Sequence, residues 1–200
     1  MDKSATFEDQ TIFFEEIEEN TFLKNCRIDS WQIRRLLTDV QFSNCQFLFK
    51  DFSKTEILDC SFTNCDFSNF SFDQAVLYRD QFQTCKLVGT DFNKAAVKDS
   101  KFSDCLMTYA AFSDAKLTNT AFETSHLTES FFQHVQLKKT VFKHSDLGGA
   151  DFSETRLSGL DWSTCAIDGI RMDMNLAVGL KIDALQAASL ITAFGIKLVD

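Results

Sequence analysis

The chain has 200 residues, of which 44% are hydrophobic, and a formal charge of −9. That length is enough for one domain with a sizeable core, and no 18-residue apolar run is present to cross a membrane as a helix. The acidic balance disfavours direct contact with nucleic acid or an anionic membrane, so a charged partner is expected to be basic.

At the N-terminus, MDKSATFEDQ has neither the basic flank nor the apolar stretch of a signal peptide, and a cytoplasmic protein is expected. Large apolar residues then recur every five positions at Phe7, Ile12, Ile17 and Phe22; the register slips by one to Ile28 and Ile33 and returns at Leu37. A period of five is neither the 3.6 of a helix nor the 2 of a plain strand. It fits a chain that turns once per pentapeptide, and residues 1–41 read as one or two irregular starting coils. An acidic cluster, Glu15, Glu16, Glu18 and Glu19, belongs to this end.

From Phe42 the period is strict: all 27 positions reached in steps of five, as far as Met172, are large and apolar. Two places before each lies a second column, and 20 of its 27 members are Ala, Cys, Ser or Thr. Taking every fourth centre gives Phe42, Phe62, Phe82, Phe102, Phe122, Phe142 and Trp162, an aromatic column, and the series from Phe52 to Phe152 gives another. The columns starting at Phe47 and Ile57 are mostly aliphatic. Four such sides make a coil of 20 residues, and coils stacked as parallel strands lie about 4.8 Å apart.

The repeat, in forms such as CDF, CQF, TDF, SDL and ADF, resembles the pentapeptide repeat family over residues 40–174. The resemblance implies an all-β solenoid, a right-handed quadrilateral (square) parallel β-helix of pentapeptide repeats, with a short C-terminal helix. The whole chain, 1–200, is then a single pentapeptide-repeat domain, with its regular rod at 42–174. Lys50, Phe70, Asp80, Val135, Leu160 and Ile170 occupy positions meant for small residues. A charge cannot point unpaired into a dry interior, so bulges are expected in the first coils, above all at Phe70 stacked over Lys50.

Residues 183–194, DALQAASLITAF, change character: Asp183 is an N-cap, Gln186 completes a capping box and Gly195 is a stop signal. The apolar residues of this helix cover more than one stripe. Leu185, Leu190, Ile191 and Phe194 are therefore candidates both for a cap on the rod and for a contact with a second copy, and Ile196 to Val199 for a short strand. The stretch QAASLITAFGIKLVD resembles the tail of the Qnr quinolone-resistance subgroup, which implies a homodimer joined through the C-terminal segment, 183–200. Unlike Qnr proteins of Gram-negative bacteria, this chain has no loops interrupting the period after Phe42, so it looks more like loopless relatives such as mycobacterial MfpA.

Seven cysteines, an odd number, read as reduced thiols, and six of them occupy the small-residue column as spacers. A ladder strings thiols along a line, whereas zinc needs four ligands converging on one point, so no metal is expected. His126, His134 and His144 fall in three different columns and are expected on the surface. No phosphate loop or hydrolase motif is present, so neither a cofactor nor an enzymatic activity is expected.

The outward residues remain. One face groups Asp51, Asp73, Asp91, Asp114, Asp151 and Glu154 against Lys54, Lys94 and Arg171. A neighbouring face has Asp66, Glu129, Asp146 and Asp168 against Lys86, and the fourth face reverses the sign with Arg79, Lys98, Lys116, Lys138, Lys139 and Arg156 against Glu56, Asp59 and Asp99. Any soluble rod needs charge on its surface. Regularly spaced carboxylates can also imitate the phosphate rows of DNA. Resemblance to Qnr, MfpA and the immunity proteins for gyrase-poisoning peptides implies a DNA mimic that binds bacterial DNA gyrase or topoisomerase IV and protects it from quinolones or other poisons. The alternative is a scaffold or regulatory module with a different protein partner.

Overall fold

The computed structural model describes residues 5–30, 36–193, 195 and 197. They form a four-sided parallel β-solenoid of about eight turns with one short helix, α1 (Ala184–Ala193), at its C-terminal end. The first face, the one with Phe42 and Phe62, is a sheet of eight parallel strands running from Ala5–Glu8 to Val141–Lys143. The fourth face, with Ile57 and Leu77, has six strands from Leu36–Thr38 to Gln136–Lys138. On the second and third faces, centred on Phe67 and Phe72, single bridges such as Lys86 to Leu106 and Asp91 to Ala111 replace most strands.

The corners explain how a chain with no Pro and seven Gly can turn so often. On the second and third faces the N–H of the small residue donates to the preceding centre, as Phe70 does to the Phe67 carbonyl at 3.0 Å and Ala75 to Phe72 at 2.9 Å. The residue between, Asn69 or Gln74, has φ +58, the positive value that the third position of a type II turn requires. Among the described residues 24 non-glycine residues share this conformation, with φ from +51 to +61, and 12 of them are Asn or Asp, which tolerate it best.

Inside, the two aromatic columns stack ring on ring along the rod. Phe82, Phe102 and Phe122 follow one another at 4.9 and 5.0 Å, and Phe92, Phe112 and Phe132 at 4.8 Å each. Across the interior the columns meet edge-on, as between Phe92 and Phe102 at 79°. Cysteine and serine alternate freely in the small ladder because each supplies the same bond. The Cys85 and Cys105 thiols donate to the carbonyls of Phe62 and Phe82 at 3.3 and 3.4 Å, and the Ser125 and Ser145 hydroxyls to those of Phe102 and Phe122 at 3.4 and 3.3 Å. All seven cysteines are free and buried, and burial pushes the Cys45 thiol up to about 11 and that of Cys60 to about 12. Thiols held protonated in this way are poor nucleophiles.

The starting coils differ from the sequence expectation. Phe7 pairs with Leu23 after 16 residues, and Leu23 with Phe42 after 19, so the slip falls between Ile17 and Leu23. Alternation along the strand Thr21–Lys24 buries Thr21 and Leu23 and turns Phe22 outward. A turn of 3-10 helix, Phe14–Glu16, shortens this first coil and sends Phe14 inward against Phe52, ring centroids 5.6 Å apart. Ile33 lies outside the described residues.

The bulge expected at Phe70 is one coil earlier. Phe70 sits in an ordinary corner, buried, edge-on to Phe67 at 5.3 Å and stacked over Phe52 at 6.1 Å. At Lys50 the corner opens instead: Phe49 lacks the positive φ of its counterparts Asn69 and Gly89, and Lys50 points to solvent. The vacated interior is the space that Phe70 fills. Val135, Leu160 and Ile170 are buried without breaking the period. Asp80 makes no bulge either, since Leu77 and Phe82 on either side of it keep full register with both neighbouring coils.

Coil stacking continues past residue 174. Ala177, Leu180 and Ile182 pack against the core, and the backbone N–H of Trp162 donates to the Lys181 carbonyl at 2.8 Å. Helix α1 then covers the open edge. Gln186 and Asp183 form the capping box, Gln186 Oε1 accepting the Asp183 N–H at 2.7 Å and Asp183 Oδ1 the Gln186 N–H at 2.8 Å. The same Gln186 donates through Nε2 to the carbonyls of Trp162 and Cys165, at 2.8 and 2.6 Å. Gln186→Ala removes one of the two capping-box bonds and leaves the Cys165 carbonyl without its partner, while the Trp162 carbonyl keeps the Cys165 N–H at 2.8 Å, and a loss of about 1–2 kcal/mol is expected. Hydrogen exchange should place that loss in the last coil; uniform protection along the rod would contradict it.

Candidate protein-binding face

All six carboxylates singled out from the sequence stand on the third face, on its outer side. Asp51, Asp91 and Asp151 share one column, linked through the bridged residues Ser71, Ala111 and Phe131. Asp73 stands in the column on the other side of the core residues, and Asp114 and Glu154 at the corner, with φ +61 and +59. With about 4.8 Å per coil, Asp51 and Asp91 are about 10 Å apart along the rod, as are Asp114 and Glu154.

These carboxylates do two kinds of work. Asp51, Asp91 and Asp151 turn back on their own corners: Oδ1 of each accepts the N–H two residues on, from Ser53, Asn93 and Ser153, at 2.8, 2.8 and 2.9 Å. Asp66, Asp146 and Asp161 do the same on other faces. The signal was present in the sequence, because each is followed two places later by Ser, Asn or Gly, a spacing that marks an Asx turn. At Asp151 burial opposes ionisation, but the Ser153 hydroxyl and amide and the Arg171 guanidinium outweigh it and hold the carboxyl below its usual range. Asp73, Asp114 and Glu154 have no such corner bond, although Asp73 accepts from Gln74 and Glu154 stands 3.2 Å from His134.

Among the carboxylates runs a row of neutral polar side chains. Asn93 accepts the Ser113 N–H at 2.8 Å, Ser113 donates to Gln133 at 2.9 Å, and Gln133 donates to Asp151 at 2.9 Å. Asp173, one coil past Ser153, adds a carboxylate that accepts the Glu154 N–H at 2.6 Å.

The C-terminal candidates divide. Leu190 is buried against the rod and Ile191 is half-buried, whereas Leu185 is 83% exposed; Phe194 and the strand expected at Ile196 to Val199 lie outside the described residues, apart from Lys197. Met174 and Val178, 57% and 72% exposed, add apolar surface in the same terminal segment. His126, His134 and His144 are exposed, and the described residues hold no cluster of metal-ligating side chains. No described helix is long and apolar enough to cross a membrane.

Stacked strands, an interior filled by side chains and ladders of outward polar groups define a parallel β-solenoid. Family models for a pentapeptide repeat region and for pentapeptide repeats in eight copies match residues 55–132 and 122–159, together more than half of the chain. The protein belongs to the pentapeptide repeat family. No curated protein matches it. Among solved structures it is similar to full-length QnrB1, a plasmid-mediated fluoroquinolone resistance protein, at 21% identity over 96% of this chain and 100% of that one, with a TM-score of 0.37. It is also similar to HetL of Nostoc sp. strain PCC 7120, involved in heterocyst differentiation regulation, at 12% identity over 89% and 85% of the two chains, TM-score 0.30. A pentapeptide repeat protein of the Arabidopsis thaliana thylakoid lumen matches at 26% identity over 55% and 66%, TM-score 0.29.

Proposed function

We propose that this protein is a cytoplasmic, non-enzymatic binding rod whose acidic third face occupies the DNA site of a type II topoisomerase, chiefly DNA gyrase, and so protects that enzyme from quinolones or other poisons. The observation that carries the reading is the set of carboxylates held on one side of a rigid rod, three of them fixed by their own corners. The resemblance of the C-terminal stretch to the Qnr tail supports it, and a homodimer joined through that segment is part of the same proposal.

The test is supercoiling and drug-induced cleavage by gyrase, with and without the protein. Asp73→Asn, Asp114→Asn and Glu154→Gln combined remove three charges without touching a corner bond, and about tenfold weaker protection is expected with unchanged thermal stability. If the wild-type protein leaves both reactions untouched, the topoisomerase reading is wrong. A second reading, a scaffold or regulatory module for another protein, is favoured by the row of neutral hydrogen-bonded side chains Asn93, Ser113 and Gln133 that runs among the carboxylates. Capture of a defined partner other than a topoisomerase, lost in the same triple variant, would establish it.

A further inference from the structure

The fourth face changes sign along the rod. Glu18 and Glu19 are exposed and lead into Asn20, whose N–H donates to the Asp39 carbonyl at 2.8 Å, so they stand at the start of this face. The coils that follow add Asp39, then Glu56 and Asp59, and the last three coils present Lys116, Lys138, Lys139 and Arg156. Among the described residues, the first three coils of this face carry carboxylates and no cation, and the last three cations and no carboxylate. None of Glu18, Glu19, Lys116, Lys138, Lys139 and Arg156 has an ion-pair partner among the described residues.

The middle is apolar and internally neutral. In the coils of Leu77 and Val97, Val76 is 39% exposed and Tyr78 and Ala96 are half-buried beside it, while Leu36, 49% exposed, and Leu58 lie in the second and third coils. Arg79 pairs with Asp59 and lies over the Tyr78 ring at 4.0 Å, and Lys98 lies 5.0 Å from the same ring.

We propose that this face pairs with the same face of a second copy, antiparallel, about a two-fold axis passing between the coils of Leu77 and Val97. The rotation sets Arg156 against Glu18 and Glu19 of the partner, Lys138 and Lys139 against Asp39, and Lys116 against Glu56. Val76 and Tyr78 meet Ala96. A parallel arrangement would oppose like charges, whereas an isologous contact needs a self-complementary surface of this kind. Three outward residues on each of eight coils make about 24 per copy, within the 20–30 of a standard interface. The pairing rests on neither the topoisomerase reading nor the C-terminal contact, and it leaves the third face open.

Sedimentation velocity of the full chain tests it, at about 0.05 M and 0.5 M salt, because unpaired surface charges are screened at the higher value. Wild type is expected to pair at low salt and to weaken at high salt. Arg156→Glu, and separately Glu18→Lys with Glu19→Lys, are each expected to weaken pairing at least about tenfold, and an equimolar mixture of the two variants, whose reversed charges face one another, to restore it as a heterodimer. Leu185→Asp, at the C-terminal end, is expected to leave this pairing intact. The proposal is overturned by a wild-type chain that stays single at low salt, including one that instead binds heparin through Lys138 and Lys139. It is equally overturned by charge variants that pair normally, by failure of the mixture to rescue, or by pairing that only Leu185→Asp abolishes.

Discussion

Replacing Asp80 with serine is expected to stabilise the protein by several kcal/mol at pH 9 and to flatten its stability between about pH 4 and pH 8. Asp80 is fully buried. Its Oδ1 accepts the Cys60 N–H at 2.8 Å and the Ser100 hydroxyl accepts its N–H at 3.0 Å, while Oδ2 has no partner. Burial pushes the carboxyl up to about 8; nearby Asp59 adds to this, and the backbone bonds from Cys60 and Tyr78 and the charge of Arg79 only partly offset it. The unfolded chain releases this proton near its ordinary value of about 3.9. The folded chain therefore binds more protons between those two values, and stability is highest below about pH 4, falls as pH rises, and levels off above about pH 8. The gap between about 3.9 and about 8 corresponds to at most about 6 kcal/mol, which local relaxation lowers. Serine suits the site because Ser125 in the neighbouring ladder already accepts the Cys105 N–H at 3.1 Å. Chemical denaturation across this pH range is the measurement, and parallel profiles for the two proteins would refute the assignment.

Phe102→Ala is expected to cost about 3–5 kcal/mol, and Phe102→Leu much less. Phe102 is fully buried, lies within 11° of parallel to Phe82 and 7° to Phe122, and meets Phe92 edge-on. Truncation leaves a cavity in mid-rod and removes ring contacts worth about 0.5–1.5 kcal/mol each beyond their area. Each coil of a solenoid touches only its neighbours, so the defect should weaken coupling between the two halves. Hydrogen exchange is expected to show lost protection centred on the strands Gln81–Gln83 to Ala121–Glu123. A uniform loss, or a change under about 1 kcal/mol, would mean that the column does not carry this share of the stability.

Most of the fold was legible because a stacked coil repeats one local environment many times. Each centre and each small residue meets the same constraint, so period five appears wherever that environment recurs, from Phe42 to Met172. Legibility failed where a coil is not a copy of its neighbour. Phe22 looked like a centre by count, but strand alternation assigned the interior to Leu23. Ala177 stacks in register although it is too small to mark the period. Phe70 and Lys50 could be recognised as misfits together, but not which of them would stay inside. Of the acidic face, its membership was legible, and so in principle was the corner role of Asp51, Asp91 and Asp151, through the Ser or Asn two places on.

By itself, then, the sequence determined the period, the two aromatic columns, the spacer role of the cysteines and the sorting of charge by side, since these depend only on residue type and position modulo 20. Tertiary structure alone decided what depends on contact between unlike segments. Gln186 spans from a helix cap to two carbonyls of the preceding coil. Asp80 is forced inside by the register of its neighbours, and the fourth face joins an acidic start to a basic end only when eight coils are stacked. Such features arise from long-range closure, and a periodic pattern carries no record of what covers its ends.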